Sequence, residues 1–184
     1  MSNLEEKTIH SENIYSGTVV NLFLEDVELP NGKTSKREVV KHPGAVAILA
    51  ITDENKIVMV EQFRKAIEKT IVEIPAGKLE KGEEPAECAR RELEEETGYE
   101  CKSLEHLLSF YTSPGFADEI IHLYIAKGLT KKENSALQDE DEFINLEELT
   151  LEEAISYIQD QKIYDAKTVY AVQYLQLQEA LAKK

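Results

Sequence analysis

Three glutamates near the middle of the chain have the spacing needed to share one side of a helix. Pro85 suits the first turn of a helix and Gly98 suits its left-handed end, so the residues between them predict about three helical turns. Glu92, Glu95 and Glu96 stand at positions i, i+3 and i+4 and project from one side. Carboxylates held together repel one another, and a divalent cation would offset that repulsion. Oxygen ligands without His or Cys favour Mg²⁺ or Mn²⁺. The alternative is a solvated acidic face.

The spacing around this helix extends the pattern. Gly77 is followed after five residues by Glu83, and after seven more by the run RELEEETG, Arg91 to Gly98. This arrangement resembles the Nudix box, and all of its fixed glycine, glutamate and arginine positions are filled. Tyr99 departs from the family, which has an aliphatic residue there, but that position packs rather than reacts. The resemblance implies an enzyme that hydrolyses a nucleoside diphosphate linked to another group.

The resemblance also implies how metal is held. Glu92 and Glu96 are expected to be the principal ligands, and Glu95 a further ligand or an orienting group. The backbone carbonyl of Ala76 is another implied ligand. The ions are expected to be Mg²⁺ or Mn²⁺, about two or three per site.

Two other residues of the box are expected to have supporting roles. Arg91 is expected to steer the carboxylates by pairing with Glu83 or a neighbour. Glu94 faces elsewhere on the helix and is expected to be solvated.

A polar loop over residues 130–142 ends in an acidic run. Such runs are usually solvated. In the ADP-ribose pyrophosphatase subgroup of the Nudix family, a similar loop supplies a late glutamate over the active site. By this resemblance Glu140 activates the attacking water and Glu142 supports the metal, although the assignment between the two stays open. The implied catalytic set is Glu140, Glu92, Glu95 and Glu96.

A proline beyond the box indicates the substrate. Nudix enzymes that act on ADP-ribose have a proline shortly after the box, and Pro114 is at that place. The positions similar to their substrate contacts are Arg37, Arg64, Glu73, Pro114 and Glu119. Guanidinium groups bind phosphate oxygens bidentately, which suits the two arginines. The stacking partner of adenine stays open between Tyr15 and Phe23.

The preferred hypothesis is a homodimeric ADP-ribose pyrophosphatase that releases AMP and ribose 5-phosphate. One alternative is a Nudix hydrolase of another nucleoside diphosphate sugar, or one of broad specificity. Another is a non-catalytic nucleotide-sensing module on the same fold. Such modules typically lose box glutamates, and none is lost here. The sequence leaves open which phosphorus is attacked and whether dimer partners exchange strands.

The elements around the box predict an α/β protein. The resemblance implies the Nudix fold, a mixed β-sheet sandwiched between α-helices. Residues 1–42 are expected to form an N-terminal antiparallel β hairpin or sheet for dimerisation and substrate contact, and residues 43–184 the catalytic domain. Dimerisation is implied by the resemblance alone. Strands are expected over 8–28, 34–41, 45–52, 56–63, 104–111, 119–127 and 143–146, with helices over 85–97, from Thr150 to about 161 and from Asp165.

Composition limits the remaining possibilities. A chain of 184 residues with 42% apolar residues suffices for one ordinary domain with a good core. The net charge of -15 disfavours nucleic acid and anionic membrane as partners, so an anionic substrate must meet local positive charge. Cys88 and Cys101 cannot build a disulfide framework, and the chain starts without a targeting or spanning stretch. A cytoplasmic protein is expected.

Overall fold

The computed structural model describes residues 4–132 and 143–183. Backbone proximity divides the chain into two units. One runs to Gly44 and also includes Phe110–Ile121, and the other comprises Ala45–Ser109 and the chain from His122 onward. The functional division between residues 42 and 43 stays a prediction. None of the helices in the described ranges is both long enough and apolar enough to cross a bilayer.

The first unit contains a three-stranded antiparallel sheet. Its strands are β1 (Lys7–Ser16), β2 (Asn21–Glu28) and β3 (Thr34–Lys41), in the spatial order β1-β2-β3. The prediction of one strand over 8–28 is wrong, because a turn closed by a 2.9 Å bond from the Gly17 amide to the Val20 carbonyl divides it. The predicted turn between β2 and β3 is confirmed, with Gly32 at a φ of 78°.

Most of the second unit is organised around a mixed sheet that has seven strands among the described residues. Its strands are β4 (Ala45–Ile51), β5 (Ile57–Arg64), β6 (Lys69–Glu73), β7 (Ala76–Lys78), β8 (Tyr99–Tyr111), β9 (Ile120–Lys131) and β10 (Asn145–Leu149). The path runs β10-β5-β4-β9-β8, while β6 pairs with β5 and β7 pairs with β4. The five central residues of β4 are fully buried, which confirms the prediction from its continuous apolar run. Sequence reasoning missed β6 and β7, because strands this short are too brief to show a periodic pattern.

The described residues of this unit also form three helices, namely α1 (Pro85–Thr97), α2 (Leu151–Gln159) and α3 (Ala166–Ala182). The predicted bounds of α1 are confirmed. The predicted capping box of α2 is also confirmed, since the Thr150 hydroxyl accepts from the Glu153 amide at 3.2 Å and the Glu153 carboxylate accepts from the Thr150 amide at 2.8 Å. Asp165 caps α3 by accepting from the Thr168 amide at 3.1 Å.

Candidate active site

Helix α1 is fixed at both ends and along one face. Pro85 occupies its first turn, where its missing amide hydrogen costs nothing. Gly98 ends it in the left-handed conformation, at a φ of 70°, and donates to the Glu94 carbonyl at 2.8 Å. Ala89 and Leu93 are fully buried in a core cluster with residues of β4, β5 and β9. This packing sets the rotation of the helix and therefore the direction of its acidic stripe.

The three glutamates of the stripe are not equally exposed. Glu96 is 6% exposed, and the side chains of Glu92 and Glu95 are 13% and 35% exposed. The alternative of a solvated acidic face therefore fails for Glu92 and Glu96. Carboxylates are rarely this buried unless something compensates for their charge.

Arg91 lies at the centre of the acidic cluster. Its Nε and Nη2 donate to the two oxygens of Glu83 at 2.9 and 3.0 Å, which confirms the predicted pairing. Its Nη1 donates to Glu92 at 2.7 Å and to Glu95 at 2.8 Å. One guanidinium thus orients three carboxylates, and its fork geometry is what makes this possible.

The pKa values of the groups around Arg91 reflect this pairing. Hydrogen bonds from Arg91 lower the pKa of Glu83 to about 2. The same bonds raise the pKa of Arg91 above its usual value. Burial, helped by the neighbouring Glu83, raises the pKa of the Cys88 thiol to about 12. Cys88 is therefore a protonated packing residue and not a nucleophile.

Strand β7 contacts the acidic cluster at two points. The Ala76 amide donates to the Glu96 carboxylate at 2.9 Å. Gly77 lies against Glu92, and a Cβ at this glycine would stand 1.9 Å from the Glu92 carboxyl carbon. Position 77 must therefore be a glycine for the Glu92 side chain to keep its position. The structure thus brings residues 76 and 77 next to two of the three predicted ligands.

The composition of this cluster suits a hard divalent cation. Arg91 pairs with the carboxylates of Glu83, Glu92 and Glu95, and the carboxylate of Glu96 accepts from the Ala76 amide beside them. The donors are carboxylate oxygens, and Glu92 lies directly against the backbone of β7 at Gly77, so the residues fit an oxygen-liganded ion. Within residues 4–132 and 143–183, no group of three acidic, His or Cys side chains has the geometry of a metal site. In the acidic cluster, Arg91 lies between the carboxylates of Glu92 and Glu95.

Two predictions about α1 and its end have clear outcomes. The expectation that Glu94 is solvated is wrong, because Lys132 pairs with it at 2.8 Å and its side chain is only 23% exposed.

Tyr99 packs in the core, as expected. Its hydroxyl also donates to Glu148 at 2.6 Å, and burial together with this bond raises the pKa of Tyr99 to about 12. The aromatic residue therefore replaces an aliphatic one without exposing an unpaired hydroxyl.

A second cluster of charges lies where β5 and β6 meet the start of α3. Glu73 is 2% exposed and pairs with Arg64, whose Nε donates at 2.5 Å. The other oxygen of Glu73 accepts from the ammonium of Lys167. Lys167 also donates to Asp165 at 2.9 Å. Both oxygens of Glu73 are therefore occupied by cations of the chain itself.

A model of the NUDIX domain matches residues 41–171, well over half of the chain. This protein belongs to the Nudix family. The match includes the whole box, α1 and both charge clusters.

Two relatives extend the similarity to nearly the full length of this Nudix chain. A methanol dehydrogenase activator from Bacillus methanolicus is 73% identical over 98% of this chain and 97% of its own. An ADP-ribose pyrophosphatase from Bacillus subtilis is 64% identical over 98% of each. A crystal structure of an ADP compounds hydrolase superposes with a TM-score of 0.83 at 21% identity, covering 96% of this chain and 95% of that one. At 21% identity, the similarity to this crystal structure shows only that the two proteins share a fold.

The remaining predicted site residues belong to the first unit or lie outside the described residues. Arg37 belongs to the first unit, where its guanidinium pairs with Glu6 at 2.6 Å. Pro114 and Glu119 are also in that unit, and Glu119 accepts from the Thr112 hydroxyl at 2.6 Å. Glu140 and Glu142 lie outside the described residues.

Sequence reasoning missed Lys167 as a member of the second charge cluster. Its neighbours Asp165 and Thr168 gave a partial signal, because Asp165 is a good N-cap residue directly before an apolar helix. Nothing in the sequence showed that the first turn of α3 meets β6. Ion pairs over such separations arise from tertiary packing.

Proposed function

We propose that this Nudix protein hydrolyses the pyrophosphate bond of ADP-ribose and releases AMP and ribose 5-phosphate. The observation that carries the proposal is the near full-length similarity to the ADP-ribose pyrophosphatase of Bacillus subtilis. A complete box and the buried carboxylates of α1 support it. Hydrolysis of a different nucleoside diphosphate sugar is the alternative, since GDP-mannose pyrophosphatases are also relatives, including one from Cronobacter sakazakii at 38% identity over 77% of this chain and 78% of its own.

We place divalent metal at the acidic cluster, with Mg²⁺ or Mn²⁺ as the ion and about two or three ions per site. The proposed ligands are the carboxylates of Glu92, Glu95 and Glu96 and the carbonyl of Ala76. When bound, such ions neutralise pyrophosphate oxygens and lower the pKa of a coordinated water. The chain itself contributes orientation: Arg91 holds Glu92 and Glu95, while the Ala76 amide holds Glu96.

The other proposed roles concern substrate and water. Arg64 has a side chain that is 41% exposed, so part of its guanidinium is accessible to a phosphate or ribose. Arg37, Glu73, Pro114 and Glu119 are the further proposed substrate contacts. Glu140 is proposed as the base that activates water and Glu142 as a supporting metal contact; both lie outside the described residues.

A substrate panel tests the proposed activity. The purified protein is incubated with Mg²⁺ or Mn²⁺ and with ADP-ribose, GDP-mannose and other nucleoside diphosphate sugars, and the products are identified by chromatography and mass spectrometry. We expect ADP-ribose to have the highest kcat/KM and to give AMP and ribose 5-phosphate. If ADP-ribose ranks among the poorest substrates, the proposed substrate is wrong.

A pair of variants on α1 tests the acidic cluster. Glu96→Gln should bring turnover below detection, because it removes a charged ligand. Glu94→Gln is the matched control on the same helix, since Glu94 pairs with Lys132 outside the cluster and its loss should leave kcat nearly unchanged. Equal activity of the two variants would contradict the assignment. Wild-type protein that binds nucleotide but never hydrolyses it would instead be a sensor.

A second candidate function is activation of a dehydrogenase. It is favoured by the near full-length relative in Bacillus methanolicus, a methanol dehydrogenase activator. The test adds this protein to a purified methanol dehydrogenase and measures the rate of methanol oxidation. Stimulation by wild type but not by Glu96→Gln would join this function to hydrolysis, whereas no stimulation would exclude it for that dehydrogenase.

We also propose a cytoplasmic homodimer that forms through the N-terminal strands. Every residue of β1 is exposed, including Ile9, Ile14 and Tyr15, and a long exposed edge strand is a ready surface for pairing. Two free thiols, Cys88 and Cys101, suit a reducing compartment. Light scattering coupled to size exclusion measures the mass; a monomer at micromolar concentration would contradict the dimer.

A further inference from the structure

Lys167 is a buried charge for which the proposed hydrolysis has no direct use. It lies in the first turn of α3 and is 9% exposed. Lysine is almost never this buried unless it is paired. Its ammonium contacts the carboxylates of Glu73 and Asp165, the latter at 2.9 Å. Burial of this ammonium costs desolvation free energy, and its two acidic partners offset that cost.

Glu73 bonds to both Lys167 and Arg64. In the register of β5 and β6, Arg64 pairs with Lys69 and Val60 pairs with Glu73, so Arg64 and Glu73 lie on the same face of the sheet. One oxygen of Glu73 accepts from Lys167 and the other accepts from Arg64 at 2.5 Å. With both oxygens occupied and 2% exposure, Glu73 is poorly placed to bind a ligand itself.

Of the three bonded residues Lys167, Glu73 and Arg64, Arg64 is the one that is exposed to solvent. It bonds to Glu73 through Nε, and its side chain is 41% exposed. The outer edge of the guanidinium is therefore accessible to another anion. A guanidinium fixed in advance loses less conformational freedom when it binds that anion, and this strengthens binding.

We propose that Lys167 is a positioning residue for substrate binding: its ammonium fixes the carboxylate of Glu73, and Glu73 holds Arg64 ready for an anionic group of the nucleoside diphosphate. This inference rests on the proposed function for the identity of the substrate. It reassigns Glu73 from a direct substrate contact to a link between Lys167 and Arg64.

The competing explanation is that Lys167 only fastens α3 to β6. Thr168, its neighbour, also joins these elements, because its hydroxyl accepts from the Ile74 amide at 3.1 Å and is fully buried. In the described part of the chain, the Thr168 hydroxyl bonds to the Ile74 amide, whereas the Glu73 carboxylate bonds to Lys167 and Arg64. A Thr168→Val variant therefore loosens the same junction while leaving the ion pairs of Glu73 in place, and it serves as the matched control.

The first experiment compares Lys167→Met with Thr168→Val. Affinity for ADP-ribose is measured by calorimetry in EDTA, where hydrolysis cannot occur, and KM and kcat are measured with Mg²⁺. For Lys167→Met we expect Kd and KM to rise about tenfold or more, the effect of losing one hydrogen bond to a charged group, with kcat nearly unchanged. Thr168→Val should leave Kd and KM close to wild type. Equal increases in the two variants would overturn the proposal in favour of simple fastening.

The second experiment asks whether Lys167 acts through Arg64. In an Arg64→Ala background, Lys167→Met should raise Kd no further, because the arginine that it positions is gone. Independent, multiplicative effects of the two substitutions would overturn the proposal.

A substitute for Lys167→Met is available if that variant does not fold. Glu73→Gln leaves Lys167 paired with Asp165 but removes the charge that holds Arg64. It should raise Kd to a similar extent, again only while Arg64 is present. Wild-type protein that binds ADP-ribose but does not hydrolyse it would reject the proposed activity, and the Kd values would still decide the role of Lys167.

Discussion

At the scale of single residues, Gly77 is required because of its neighbour and not because of backbone strain. A methyl group there would overlap the carboxylate of Glu92, which stands at the end of a flexible side chain. Gly77→Ala should therefore push the carboxylate aside and leave the fold intact. We expect kcat to fall about 10²-fold, the effect of misplacing a catalytic group by about an ångström, with little change in Tm.

The control for this prediction is Gly82→Ala. Gly82 lies between β7 and α1, and apart from its chain neighbours no heavy atom stands within 4 Å of a Cβ at that position. Its φ of 82° makes alanine unfavourable there, so stability should fall while kcat holds. A Gly77→Ala variant with the kcat of wild type would show that Glu92 is not needed where the structure places it.

Glu83 makes the free energy of unfolding depend on pH in the acidic range. Its pKa falls from 4.5 to about 2 through the hydrogen bonds from Arg91. Because the folded pKa is depressed, its contribution to stability is complete above the ordinary pKa and is lost as the pH falls from 4.5 towards 2. Wild type should exceed Glu83→Gln in unfolding free energy by about 1 kcal/mol near neutral pH, because solvent screens this ion pair.

Urea denaturation of metal-free protein measures this difference. The gap between wild type and Glu83→Gln should narrow steadily as the pH is lowered through that window. A gap that stays constant from neutral pH down to pH 3 would contradict the role given to the pair with Arg91.

At the scale of elements, the end of α1 fixes where its last turn places Glu95 and Glu96. Gly98 adopts a φ of 70°, which an L side chain disfavours. Gly98→Ala should lower the unfolding free energy by about 1 to 2 kcal/mol, and Gly98→Asn by less, because asparagine tolerates this conformation. Urea titration gives both values. The same loss for both variants would mean that side-chain packing, not backbone conformation, sets the cost.

At the scale of the whole molecule, metal binding should stabilise the fold. A ligand that binds only the folded state raises its stability by about 2.7 kcal/mol at 100 times its Kd. Mn²⁺ should therefore raise the Tm of wild type measured by calorimetry, and EDTA should reverse the rise. Glu96→Gln should show a much smaller rise, and NaCl at equal ionic strength none. A Tm that Mn²⁺ leaves unchanged in wild type would contradict a metal site at the acidic cluster.

Local pattern predicted much of this molecule correctly. The bounds of α1 follow from a proline and a glycine, the capping box of α2 from four consecutive residues, and the buried strand β4 from a continuous apolar run. The pairing of Arg91 with Glu83 was also expected. The helix bounds, the capping box and the buried strand depend on residues close together in sequence, where spacing alone fixes geometry.

What the sequence determined by itself was the acidic stripe of α1 and the box around it, because helix periodicity places Glu92, Glu95 and Glu96 together wherever the helix lies. Only the tertiary structure decided that Glu96 is buried, that Glu94 pairs with Lys132 and that Lys167 reaches Glu73. Those contacts join segments far apart in the chain. Their geometry depends on how the sheet and helices pack, and no local spacing encodes it.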